Sequence, residues 1–164
     1  EGRYAVTYRF LTVCTGNICR SPMAEVVLQK YADQAGADVE VDSAAVSSYE
    51  VGNPIDPRAQ KILRRGGYRV PPRGAQQITV EDIEDYDLIL PMTREHQRDI
   101  NRLAQRVAPE KRAEVRLWKE FAAHQDGDLD VPDPWYGGVQ DFVDTLATLE
   151  DAADNIVAYA EQDA

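Results

Sequence analysis

The densest chemistry in this chain lies in VCTGNICRSP, residues 13–22. Cys14 is a soft nucleophile, and after five intervening residues comes Arg20, a planar cation whose fork matches two oxygens of a phosphate. The intervening Thr15, Gly16, Asn17, Ile18 and Cys19 form a tight loop, and Gly16 and Asn17 are residue types that tolerate left-handed backbone. A loop of this kind running into a helix N-terminus turns successive N–H groups inward as an anion cradle. Those amides, the helix terminus and Arg20 favour Cys14 as thiolate, and Ser21 adds a hydroxyl that can reach the sulfur or cap the helix. A thiolate beneath a bound phosphate is placed for in-line attack on phosphorus. A nucleotide-binding glycine loop needs Gly-Lys-Ser/Thr after its glycines, and none follows here. The competing reading makes Cys14 and Cys19 small buried hydrophobes; the Arg-Ser-Pro that follows at a strand-to-helix junction weighs against it.

Attack by a thiolate expels an alkoxide or phenoxide, which leaves faster when protonated. A carboxylic acid must therefore face the cradle from elsewhere. DVPDPWYGG (130–138) offers Asp133 between Pro132 and Pro134, with Trp135 and Tyr136 as an apolar wall for an aromatic leaving group. Alone, this stretch also reads as a turn with packed aromatics.

These residues need a scaffold. RFLTVC (9–14) is a short β-rich run, and SPMAEVVLQKYADQAG (21–36) carries Met23, Val26, Val27 and Tyr31 at helical spacing and stops at Gly36. DVEVDSA (38–44) alternates like a strand, and DPRAQKILRRGG (56–67) is marked as a helix at both ends. YDLILPM (86–92) and AEVRLW (113–118) are further strands. Residues 93–108 predict a helix with Ile100, Leu103 and Val107 on one face, and 139–160 a closing helix striped by Phe142, Leu146, Leu149 and Ala153. The expected fold is a single doubly wound α/β domain over 1–164, with a four-stranded parallel sheet flanked by helices and residues 1–7 as a poorly ordered N-terminal extension. Such sheets bind ligands at strand carboxyl ends, where Cys14 falls.

Composition narrows the partners. A net charge of −11 argues against nucleic acid, and no apolar run is long enough to span a membrane. The N-terminal stretch lacks the apolar core of a signal peptide, so the expected location is cytoplasmic, with signal-less secretion left open. His96 and His124, the two histidines, stand alone and read as surface residues, so neither a metal nor another cofactor is expected.

Together these features resemble the low-molecular-weight protein tyrosine phosphatase family, bacterial type. The motifs are VCTGNICRSPMAE, DSA at 42–44, VGNPIDPRA at 51–59 and DPWYGG at 133–138, in order over roughly residues 8 to 160. The resemblance implies Cys14 as nucleophile through a cysteinyl-phosphate, Arg20 as phosphoryl clamp, and Asp133 as general acid and then base. It implies that Asn17, with Ser43, holds the loop, that Ser21 steadies the thiolate, and that Cys19 forms a reversible disulfide with Cys14. Implied partners are phosphotyrosine proteins or small aryl phosphates, phosphate as product, and a cognate tyrosine kinase. The chain departs from the pattern at Ala45 and Val46, at Tyr49, where tryptophan is common, and at Thr93, and the histidine often found near residue 73 is missing. These departures bear on substrate preference.

Four alternatives compete, one of them acid phosphatase activity on small metabolites, since the cradle reads phosphate and the rim reads everything else. Thioredoxin-coupled arsenate reductases need cysteines downstream, and none follows Cys19. Protein arginine phosphatases usually carry threonine at the Ile18 position and lack the second aromatic of the acid loop. Ile18 and the Trp135–Tyr136 pair therefore favour an aryl ring. A non-catalytic phosphotyrosine-binding module would have to leave all three chemical groups idle.

Overall fold

The computed structural model describes residues 7–163. Residues 1–6 of the expected extension lie outside the described residues, whereas Thr7 is tied down, its Oγ1 donating to Asp38 Oδ1 at 3.1 Å. Four parallel strands, β1 (Tyr8–Cys14), β2 (Val39–Ala45), β3 (Leu88–Pro91) and β4 (Glu114–Val115), lie in the order β2-β1-β3-β4. The connection from β1 goes one way and the later strands return on its other side. The carboxyl end of β1 is thus a topological switch point, where loops splay apart and leave a crevice.

Alternation along β1 sets the layers. Tyr8, Phe10 and Cys14 pack with α1 (Arg20–Gln34), α2 (Pro57–Arg65) and α5 (Val139–Asp163). Leu11 and Val13 pack on the other face with α3 (Val80–Asp85) and α4 (Arg94–Ala104). Thr12 interrupts the apolar series with purpose: fully buried, its hydroxyl donates to Ser21 O at 2.7 Å and so ties the strand to the first turn of α1.

The helix ends follow their residue types. Asp56 caps α2 with Pro57 in its first turn, and Thr93 caps α4 by accepting from His96 N. The α3 helix was absent from the sequence reading: it is a six-residue turn whose signal is a capping box between Thr79 and Asp82. The strand expected over 113–118 shrinks to Glu114–Val115, because the chain then turns into a 3₁₀ segment, Trp118–Phe121, that buries Trp118. Among the described residues no helix is long and apolar enough to cross a membrane.

The stripe of α5 is buried as expected, with Phe142, Leu149 and Ala153 fully covered. Leu149→Ala removes buried methyl groups from the α1–α5 layer and is expected to cost about 2–5 kcal/mol in urea denaturation. Val143→Ala, on the exposed side of the same helix, is expected to stay within about 0.5 kcal/mol of wild type. Equal effects would contradict the layer assignment.

Candidate active site

Cys14 closes β1 and Arg20 opens α1, so the loop between them sits at the switch point. The sulfur is buried and receives the N–H groups of Asn17 at 3.3 Å and Ser21 at 3.4 Å. Ser21 Oγ lies 3.1 Å from it. That hydroxyl accepts from Asn17 Nδ2 at 2.8 Å, which leaves its own proton for the sulfur or for Ala44 O at 3.4 Å. Ser21 serves the sulfur and does not cap the helix: the cap position is Cys19, which makes no side-chain capping bond.

Asn17 is the only non-glycine among the described residues at positive φ, 61°. Its side chain spans three anchors, donating to Ser21 Oγ at 2.8 Å and Ser43 Oγ at 2.9 Å and accepting from Gln76 N at 3.0 Å. Ser43 in turn donates to Glu25 Oε1 at 2.5 Å. Asn17, Ser21 and Ser43 therefore form a buried polar floor under the loop.

Arg20 is 5% exposed, its Nη1 donating to Val131 O at 2.9 Å and its Nη2 standing 3.5 Å from Asp133 Oδ2. Asp133 caps the short turn Pro134–Tyr136 by accepting from Trp135 N at 3.0 Å. One carboxylate oxygen fixes the loop while the other faces Arg20.

A cavity of about 210 Å³ opens over this floor, lined by Cys14, Thr15, Gly16, Ile18, Cys19, Arg20, Tyr49, Asp133, Trp135 and Tyr136, all singled out from the sequence. Glu50 joins them, and the sequence reading had not marked it. Burial, reinforced by Asp56, pushes the Cys19 thiol well above the ordinary thiol range. Among the described residues, no three His, Cys, Asp or Glu side chains are grouped to hold a metal.

Besides Glu50, three further positions hold the site in ways the sequence did not signal. Asp56 and Arg58 lie inside VGNPIDPRA, a motif quoted without a role for either residue. Asp56 N donates to Ile18 O at 2.9 Å, and the Asp56 carboxylate accepts from Arg58 N, Nε and Nη2 at 2.8, 3.1 and 3.0 Å. Arg58 also stacks over Trp135 at 5.1 Å and Phe142 at 4.7 Å and donates to Trp135 O, so it joins cradle and acid loop. The third is His96, expected at the surface but 1% exposed, with Nε2 2.8 Å from Thr15 Oγ1. The Thr93 cap turns it inward, a placement that a lone histidine does not signal.

Burial, aided by the Arg20 charge and opposed by Asp130, lowers the His96 imidazole to about 4. An unfolded histidine titrates near ~6.5, so as pH falls from there to about 4 the unfolded chain binds a proton that the folded chain refuses. The stability that His96 contributes is full above that window and is lost through it, about 3 kcal/mol in all. Wild type is therefore expected to lose about 2 kcal/mol more than His96→Gln between pH 7 and about pH 4.5 in urea titrations. Parallel losses would contradict a buried neutral imidazole.

Comparison with known proteins places this geometry. The family model of low molecular weight phosphotyrosine protein phosphatase matches residues 9–164. A low molecular weight protein-tyrosine-phosphatase of Streptomyces coelicolor is 40% identical over 158 residues, covering 93% of each chain. Among solved structures, a protein tyrosine phosphatase of Entamoeba histolytica superposes with TM-score 0.87 at 29% identity, covering 96% of this chain and 99% of that one. A Drosophila arginine phosphatase superposes with TM-score 0.86 at 25% identity, covering 94% and 99%.

Proposed function

This chain belongs to the low molecular weight phosphotyrosine protein phosphatase family, and from that premise we propose that it hydrolyses phosphotyrosine in proteins, and small aryl phosphates, through a phosphoenzyme on Cys14. Membership makes it a phosphoric monoester hydrolase. The observation that carries the choice of tyrosine is the wall of the cavity: Ile18, Tyr49, Trp135 and Tyr136 present flat apolar surface above the sulfur.

In this reading the phosphoryl oxygens sit in the N–H cradle of residues 15–20 and on the fork of Arg20. The Cys14 thiolate forms the S–P bond as the P–O bond to the ring breaks, and Asp133 gives its proton to the departing phenolate. Asp133 then takes a proton from water, which attacks the phosphocysteine and releases inorganic phosphate. Cys19 is the thiol that pairs with Cys14 under oxidation, shielding it from further oxidation. Both cysteines are free in the structure, which suits a reducing, cytoplasmic setting opposite a tyrosine kinase.

Phosphoarginine is the second reading, and Glu50 favours it, since a carboxylate beside the cavity suits a guanidinium. Phosphate release from phosphotyrosine and phosphoarginine peptides, measured side by side with a chelator present, separates the two. The expected outcome is turnover of phosphotyrosine, none with Cys14→Ser, and a fall of about 10²–10⁴ in kcat for Asp133→Asn. Preference for phosphoarginine would keep those roles and overturn the reading of the wall. Tight phosphotyrosine binding without turnover would make the chain a binding module.

A further inference from the structure

A second groove, of about 520 Å³, opens beside the catalytic cavity and shares Thr15 and Tyr49 with it. It runs between α4 and the segment that follows β2. Its apolar side comes from Val46, Ile78 and Leu103, which belong to the apolar layer on the α4 face of the sheet. The bank opposite α4 is pinned to the cradle. Ser47 N donates to Thr15 O at 3.2 Å and Ser47 Oγ to the same oxygen at 2.7 Å, while Gln77 Nε2 donates to Val46 O at 3.2 Å. The seam between cavity and groove is the 2.8 Å contact of His96 Nε2 with Thr15 Oγ1. Beyond Thr15 and Tyr49, the reaction described above uses nothing of this groove.

The α4 bank carries the charge. Glu95, Asp99, Arg102 and Arg106 recur at helical spacing, and all four line the groove. Asp99 and Arg102 answer each other, Nη1 standing 3.1 Å from Oδ1. Among the described residues, no hydrogen bond or ion pair engages the Glu95 carboxylate or the Arg106 guanidinium. Glu95 stands next to His96 at the catalytic end and Arg106 at the far end, so the groove is polarised along its length.

We propose that this groove seats the polypeptide flanking the phosphotyrosine of a protein substrate, and that Arg106 reads an acidic side chain on it. The inference rests on the phosphotyrosine reading above and adds the substrate's sequence to it. Continuity and charge choose this occupant. A phosphotyrosine in the cavity must carry its chain out over the rim, and Tyr49, 83% exposed, borders both cavity and groove. At the far end the chain meets a cation that nothing else answers. Helix geometry sets the register. His96 and Arg106 are ten positions apart on α4 and the turn that continues it, about 15 Å at ~1.5 Å per residue. An extended peptide advances ~3.3 Å per residue, so with the reach of an arginine the acid falls about three to five positions from the phosphotyrosine. An acid one or two positions away would lie against Glu95 and gain nothing.

The test measures kcat and KM for alanine-rich phosphotyrosine peptides in which a single glutamate is moved outward on either side. On one side only, glutamate about three to five positions away is expected to lower KM about two- to fivefold against alanine with kcat unchanged, the scale of an exposed ion pair. Salt near ~0.5 M is expected to erase the gain. Arg106→Glu is expected to invert the preference, so that lysine at that position outperforms glutamate. Lys61→Glu, an equal change of charge on α2, is expected to keep the wild-type order. The wild-type order surviving in Arg106→Glu, an optimum beside the phosphotyrosine, or equal gains on both sides would overturn the proposal. So would sedimentation showing a dimer that Arg106→Glu dissolves, which would give the groove to a second copy of the chain. An aryl phosphate run alongside keeps the two readings apart: no turnover of it fails the phosphatase reading, whereas turnover with no effect of the acid's position fails the groove alone. Binding of the same peptides to Cys14→Ser, followed by fluorescence anisotropy, is expected to show the same order and reads the groove even without turnover.

Discussion

The backbone of Asn17, held at φ 61°, is the constraint on which the rest of the site depends. A left-handed conformation costs an L-residue roughly 1–2 kcal/mol, less for asparagine, and glycine would adopt it freely. Glycine, however, would forfeit the three side-chain bonds to Ser21, Ser43 and Gln76 that keep the loop in one shape. Other side chains would bear the strain without making those bonds. Because the turn at Asn17 aims its own N–H at the sulfur and its carbonyl at Arg73, both the polarity of the cradle and its anchorage follow from one residue.

The same logic of pairing governs the charges. A chain of net charge −11 nevertheless gathers three arginines around one loop, each answered by a carboxylate. Arg20 stands 3.5 Å from Asp133, Arg58 is bonded to Asp56, and Arg73 lies in the field of Glu25. Buried charges are tolerable when paired and costly when alone. The contacts divide by kind: Arg73 reaches the cradle by its guanidinium, whereas Asp56 reaches it by its backbone N–H and leaves its carboxylate to hold Arg58 against the acid loop. Burial pulls the Asp56 carboxyl up, yet the bonds from Arg58 hold it below the ordinary range, so this latch is an anion at neutral pH.

Much of this was legible because local signals agreed with the global fold. β1, α1, β2 and α2 announce themselves by periodicity, by Pro57 inside the start of α2 and by the glycines that follow α1 and α2, and the structure moves their bounds by only a residue or two. The cavity gathers ten of the residues chosen from the sequence because the loop, the strand end and the acid loop all open at the switch point. What stayed hidden depends on distance in sequence. Thr15 and His96 are 81 residues apart and Asn17 and Arg73 are 56 apart, so no spacing rule connects them. The missing histidine near residue 73 was visible as a departure, but its replacement by a cation on the Asn17 carbonyl was not. Two-residue β4 and six-residue α3 fall below the length at which periodicity speaks.

Floor and rim of the cavity answer to different physics. The floor is buried and polar, its members locked by short bonds, and a change in any of them leaves another polar group unpaired. The rim is exposed: Tyr49, Trp135 and Tyr136 line the cavity and are among the large apolar side chains most open to water among the described residues. A rim residue can change with little cost to stability, so leaving-group preference is free to drift while the floor is not. Departures from the family pattern follow the division: Tyr49 is on the rim, and Val46 meets Cys14 only through its backbone, its N–H donating to the Cys14 carbonyl at 2.9 Å, a bond that does not depend on its side chain. Arg73 is the departure that reaches the floor, where it bonds the carbonyl of the residue whose backbone shapes the cradle.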